Sequence, residues 1–217
     1  DDAAKVFNLL TYTFSLINGP SATWVFDLSS KSWGKIVIPS NTKVPFRLGS
    51  GIVASLGAGK VLLFEVPQSL ANTFSTRRVL DTWAFDQSTR AWAQCTEWTP
   101  SARSGHAMAS LGAGKVLLFG GEHIIGGGSL LKFTSIKLLD ETWVFDQSSK
   151  RWAVRIDIPL NTKAPSARYF HAMASLGAGK AVMFGGRAVV RISLFQDLTD
   201  FLNDTWVFDQ SNKGWTM

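Results

Sequence analysis

Three histidines, one cysteine and a thrice-repeated Leu-Gly-Ala-Gly-Lys are the residues of this chain whose types and spacing could carry chemistry. The pentapeptide ends at Lys60, Lys115 and Lys180. A glycine-rich loop closed by lysine cradles a phosphate when it reads G-x-x-x-x-G-K-[ST]. In the copy ending at Lys115, Ala109 stands where the first glycine belongs and Val116 where the Ser or Thr belongs. The segment is therefore read as a hairpin turn, in which Gly supplies the positive φ that a tight turn needs. His106 and His171 hold one repeat position, 65 residues apart. Groups that recur once per repeat usually serve the repeat. No Ser-His-Asp order and no carboxylate pair stands apart from the pattern, so no catalytic residue is assigned.

Composition bounds the scaffold that holds these groups. The chain has 217 residues, 46% apolar and 18% charged. That suits a globular domain with a sizeable core and excludes a wholly disordered chain. Lys plus Arg is 22 and Asp plus Glu is 16, a net charge of +6. Such a surplus favours anionic partners only where it clusters. Cys95 is the single cysteine, so no disulfide forms within the chain. The apolar stretch at 6–17 holds Asn8, Thr11, Tyr12 and Thr13 and is too short to cross a bilayer. It follows Asp1 and Asp2 and not a basic run, so it is a poor signal peptide. No transmembrane segment is expected, and an intracellular setting is slightly favoured.

Repeats organise the chain. TWVFDLSSKSW starts at Thr23, DTWAFDQSTRAW at Asp81, ETWVFDQSSKRW at Glu141 and DTWVFDQSNKGW at Asp204. Their first tryptophans are Trp24, Trp83, Trp143 and Trp206, spaced by 59, 60 and 63 residues. Their second are Trp33, Trp92, Trp152 and Trp215. These positions take eight of the nine tryptophans, so the Trp content is architectural. Alternating with them are GIVASLGAGKVLLFEV from Gly51, HAMASLGAGKVLLFGG from His106 and HAMASLGAGKAVMFGG from His171. Each of these splits into two short strands around the turn. The W-x-F-D segment suits a third strand, with Trp83 and Phe85 on one face. Asp86 opens a turn in which its carboxylate can hold the next backbone N–H groups. The strand at Trp92 completes a four-stranded antiparallel unit.

Such units in tandem, with Gly120-Gly121 and Gly185-Gly186 after the second strand and Trp in the third and fourth, resemble kelch repeats. The resemblance covers about 51–217 in three units, plus a half unit at 21–38. It implies an all-β propeller of four-stranded blades, here at about 1–42 (incomplete), 43–99, 100–163 and 164–217. One blade departs from the pattern, with Glu65-Val66 in place of Gly-Gly. The Asp box of sialidase-type propellers fits less well, because Asp146 and Trp152 are one residue too far apart and no Gly lies between them. Galactose oxidase shares the kelch architecture, so the resemblance admits a carbohydrate-active or copper-dependent oxidase as the alternative reading. Its ligands would be drawn from Cys95, Tyr12, Tyr169, His106, His123 and His171. No paired arrangement of these is visible, and a shared fold does not carry an activity. No metal and no cofactor is expected.

Residues that differ between the repeats point to binding. The links between second and third strands, at 65–80, 122–139 and 187–203, are long and carry Arg77, Arg78, His123, Lys132, Lys137, Arg187 and Arg191. Long loops on a rigid scaffold are the usual place for recognition. The resemblance adds Arg103 and Arg168, in PSARSGH and PSARYFH, at the place where kelch arginines line the channel mouth. Their other reading is that they brace the neighbouring blade. The links are also apolar, as in IIGGGSLLKF and RAVVRISLF, which suits docking onto a protein partner or a larger assembly. A nucleic-acid partner is not expected, because the tryptophans are committed to the blades. The function expected is a non-catalytic protein-interaction or scaffolding module. The half blade at the start leads to the expectation that the chain belongs to a longer protein or an assembly that covers its open edges.

Overall fold

The computed structural model describes residues 23–27, 30–38, 42–45, 51–65, 81–95, 99–125, 135–153, 163–193 and 196–217, and among them none is helical. Every strand is short, as the apolar runs between Gly and Asp punctuation dictate. β1 (Thr23–Asp27) and β2 (Ser32–Ile36) form a hairpin. Next come β3 (Ile52–Gly57), β4 (Lys60–Glu65), β5 (Asp81–Asp86) and β6 (Ala91–Cys95), paired in that order as the first four-stranded sheet. β7 (Ala107–Gly112) and β8 (Lys115–Phe119) start the second. Then β9 (Glu122–Ile125) and β10 (Ser135–Leu138) pair only with each other. β11 (Thr142–Asp146) and β12 (Arg151–Ala153) complete the second sheet, in the order β12-β11-β8-β7. The third repeats the plan with β13 (Ala172–Gly177), β14 (Lys180–Phe184), β17 (Thr205–Asp209) and β18 (Gly214–Thr216). Its second-to-third strand link is also a separate hairpin, of β15 (Arg187–Ser193) and β16 (Gln196–Phe201). All pairings are antiparallel.

The Leu-Gly-Ala-Gly-Lys segment is a two-residue turn. Ala58 and Gly59 both have positive φ, 48° and 72°, and the same holds for Ala113-Gly114 and Ala178-Gly179. That backbone matches the right-handed twist of the strands it joins. Its lysine also has a partner. Lys60 Nζ lies 3.1 Å from Asp86 Oδ2, and Lys115–Asp146 and Lys180–Asp209 repeat the pair. Meanwhile Asp86 Oδ1 accepts from the Ser88 backbone N–H at 2.9 Å. The lysine that imitates a phosphate loop thus clips the turn after W-x-F-D to the turn before it. These pairs are solvated and contribute little to stability.

The sheets stack face to face, and β7 lies against both β3 and β13. Ala54, Leu56, Leu62 and Phe64 of the first sheet pack on Met108, Val116, Leu118, Phe145 and Trp152 of the second. Likewise Ala109, Leu111, Leu117 and Phe119 of the second meet Ala181, Met183, Phe208 and Trp215 of the third. The outer tryptophan finishes each junction. Trp152 stands edge-on to Phe64 at 5.8 Å, and its Nε1 donates to Thr82 Oγ1 at 3.0 Å. Trp215 stands edge-on to Phe119 at 5.2 Å and donates to Thr142 Oγ1 at 3.1 Å. An indole buried without a partner for its N–H would be costly, so a threonine of the neighbouring sheet meets it. In the hairpin β1-β2, Val25 is buried against Val61, Leu63, Trp83, Phe85 and Trp92. Among the described residues no helix is long and apolar enough to cross a membrane.

Candidate functional site

The links before the first strand of a sheet and after its second strand meet on one rim. Ser104 bridges to Glu122 at the base of β9, and Tyr169 to Arg187 at the base of β15. Glycine makes the meeting possible. Gly120 and Gly121 have φ of 65° and 101°, and Gly185 and Gly186 have 67° and 101°. A Cβ on Gly120 would stand 2.6 Å from the Arg168 carbonyl oxygen, which accepts instead from Gly121 N–H at 2.8 Å. In the first sheet, where the pair is absent, β4 runs one residue further and Glu65 pairs with Asp81.

Arg103 and Arg168 lie under this rim with fully buried side chains. Arg168 Nε donates to Ser166 O, Nη1 to Gly185 O and Asp204 Oδ1, and Nη2 to Ser166 Oγ and Asp204 Oδ2. All five N–H groups are thereby used. Arg103 repeats the set on Ser101, Gly120 O and Glu141. Glu141 and Asp204 in turn accept from the indoles of Trp143 and Trp206. The guanidinium fork therefore ties the incoming link, the Gly-Gly corner and the third strand of its own unit. The expected brace onto a neighbour is made by backbone instead, through Gly121 N–H to Arg168 O and Arg168 N–H to Leu139 O. The fork with its two hydrogen-bonded oxygens holds Asp204 down at about 2.

His106 and His171 follow these arginines and are buried against Phe64 and Phe119, edge-on at 5.1 and 5.6 Å. Burial, and then the charge of Arg103, pushes His106 down to about 3. Burial, and then Arg168, pushes His171 down to about 4. Both are neutral in the fold, while unfolded histidine titrates near about 6.5. Below that pH the unfolded chain binds more protons, so stability is present above it and is lost as pH falls towards the folded values. The loss is about 1.4 kcal/mol per pH unit for each histidine. Urea melts on going from neutral pH to about pH 5 are expected to move steadily to lower denaturant, with about half the pH slope gone in His171→Phe. An unchanged midpoint over that range overturns this.

The remaining candidates separate. His123 Nδ1–H donates to Ala102 O at 2.6 Å, Lys137 is exposed on β10, and Arg187 stands 4.7 Å over the ring of exposed Phe201. Arg191 is on β15 opposite Asp197. Arg77, Arg78, Lys132, Tyr12 and the stretch 6–17 lie outside the described residues. Cys95 is buried between the first and second sheets, and its thiol is pushed up by burial. Among the described residues no three His, Cys, Asp or Glu side chains are grouped to hold a metal.

Phe170 is the rim residue that composition does not single out. It is 64% exposed, has φ of 55° and sets its ring at a tilt against Tyr169, with centroids 4.9 Å apart. The equivalent residue one unit earlier is Gly105, with φ of 65°, whose carbonyl accepts from Phe170 N–H at 2.7 Å. A non-glycine residue in that region costs about 1–2 kcal/mol, and a ring left 64% exposed recovers little of it from burial. Comparing PSARSGH with PSARYFH is the sequence signal for it: Ser-Gly becomes Tyr-Phe.

The family model of the KLHDC2/KLHL20/DRC7 kelch-repeats domain matches residues 23–217. A curated relative, Adagio-like protein 3 of Oryza sativa subsp. japonica, is 29% identical over 100 residues, which is 44% of this chain and 15% of that protein. The solved structure of YjhT covers 90% of this chain and 74% of its own at 13% identity, with a TM-score of 0.46. With nine-tenths of its length matched by the family model and its sheets built on the repeated glycine pairs and tryptophans, the chain belongs to the kelch-repeat family.

Proposed function

We propose that this kelch domain is a non-catalytic interaction module that holds a protein partner on the rim where the second-to-third strand hairpins leave the sheets. The division into blades at 1–42, 43–99, 100–163 and 164–217 is part of the proposal. The observation that carries it is Phe170, a large apolar ring kept in water on a strained backbone. Strain retained where packing does not require it points to use. Exposed Ile136 and Phe201 and the cations Lys137 and Arg187 add apolar anchors and positive charge to the same rim. An aromatic anchor rimmed by polar groups is the usual make-up of a binding hot spot. Arg103 and Arg168 support the rim from below, and their charge faces their own unit.

The test is Phe170→Gly. Glycine accepts the local backbone without strain, so the variant is expected to melt no lower than the wild type. Its affinity for the partner, first identified by cross-linking in the native source, is expected to fall about tenfold or more. Unchanged affinity with an intact fold overturns the assignment of this rim.

A further inference from the structure

We propose that the end of the sheets opposite the rim is an electrostatic docking face for an anionic lipid bilayer. Two kinds of turn gather there. Short ones join β3-β4, β7-β8 and β13-β14, and four-residue ones join β1-β2, β5-β6, β11-β12 and β17-β18. They are tied together within a sheet, Gln87 N–H donating to Gly59 O at 3.0 Å, and between sheets, Gly179 N–H donating to Leu111 O at 3.1 Å. The lysines of the short turns are matched one to one by Asp86, Asp146 and Asp209. Lys31, Arg90, Lys150 and Lys213, each last in its long turn, stand outside these pairs and are exposed. Arg151 and Asp27 complete the charges of this end. Eight cations thus meet four carboxylates, which places four of the chain's six surplus positive charges here.

The backbone at those four cations is left-handed, with φ of 51°, 54°, 55° and 53°. Glycine or asparagine takes that conformation most readily, yet each of the four turns places a cation there. Strain kept where packing asks for no long side chain points to use. Neighbouring sheets flank these groups without covering them. Arg90 lies in a sheet between the β1-β2 hairpin and the second sheet, Lys150 in one between the first and third, and both are exposed. Packed sheets lie about 10 Å apart, so four successive turns spread the charge over roughly 30 Å, wider than one small anion. Residues 87–89, 147–149 and 210–212 include no aromatic and no aliphatic residue. The face therefore lacks the apolar anchors of a protein hot spot and the rings on which unpaired bases stack. Six of the eight cations are lysines, point charges without the planar fork that makes arginine the choice for nucleic-acid phosphates. A broad positive face held by charge alone suits a leaflet of anionic headgroups, which attracts each basic residue near its surface.

The test is sedimentation of the whole chain with vesicles of phosphatidylcholine, with and without phosphatidylserine. Binding is expected only to the anionic vesicles, and it should fall steeply as salt is raised. Asparagine keeps the left-handed backbone, so the double variant Arg90→Asn, Lys150→Asn is expected to melt no lower than the wild type. One basic residue near an anionic leaflet is worth about fivefold in affinity, so this variant should bind about thirtyfold more weakly. Lys35→Asn with Lys163→Asn removes the same charge from exposed positions away from this end and should bind as the wild type does. No binding to the anionic vesicles, equal binding to neutral ones, or the same loss in both double variants overturns the proposal. So does tighter binding to duplex DNA than to the anionic vesicles at the same salt.

Discussion

Replacing Arg168 with alanine is expected to destabilise the domain by about 3 kcal/mol, at the lower end of the range for breaking a buried ion pair. The guanidinium is fully buried and its five N–H groups serve Ser166, Gly185 and Asp204. Alanine removes the donors to Ser166 O and Gly185 O and leaves Asp204 with the Trp206 indole N–H. Asp204 keeps about a quarter of its side chain in solvent, 26%, which limits the cost. For a chain of this length the loss lowers Tm by roughly 6–12 °C. Arg168→Lys keeps the charge and gives up the fork, and it should recover less than half of the loss. The carboxyl of Asp204, now at about 2, should rise towards its ordinary value in the alanine variant. Calorimetry of the three proteins at neutral pH, with NMR titration of Asp204, checks both. A change in Tm no larger than that of an exposed lysine substitution overturns the brace.

Gly120→Ala is expected to cost a similar amount for a different reason. Its φ of 65° is strained for any residue with a Cβ, worth about 1–2 kcal/mol. The added Cβ meets the Arg168 carbonyl oxygen at 2.6 Å and His171 Cε1 at 3.0 Å. That oxygen belongs to backbone already bonded to Gly121, so relief requires the two sheets to part, and overpacking of this kind adds about 1–3 kcal/mol. Gly57→Ala separates the two contributions. Gly57 has φ of 83° but nothing within 4 Å of its Cβ position, so it should lose only the backbone share. Parallel chemical denaturation of the two variants measures the difference, and equal losses would refute the clash.

Much of this was legible in the residues. Eight tryptophans at a period near sixty fixed the repeat, and the repeat implied the four-stranded unit. Alternation in W-x-F-D placed Trp83 and Phe85 on one face because successive strand residues point oppositely. Gly-Ala-Gly announced the turn because positive φ is a local property that glycine reveals. The hairpins β9-β10 and β15-β16 were read only as long loops. Their alternation is brief, and strands four to seven residues long declare themselves mainly through pairing.

The site was less legible, since a side chain's role depends on where it points after folding. Sequence placed Arg103 and Arg168 at the start of the first strand and left binding and bracing open. The fold adds what no local pattern carries, by bringing Glu141 and Asp204 within 2.6 Å of them from 38 and 36 residues away. Sequence likewise showed Phe170 as one apolar residue among many, and only its backbone angle and exposure set it apart. By itself, then, the sequence determined the period, the turns and the faces of the strands, because these follow from neighbours a few residues apart. The tertiary structure alone decided which polar groups are spent inside the scaffold and which side chains stay exposed, because those depend on contacts between residues far apart in the chain.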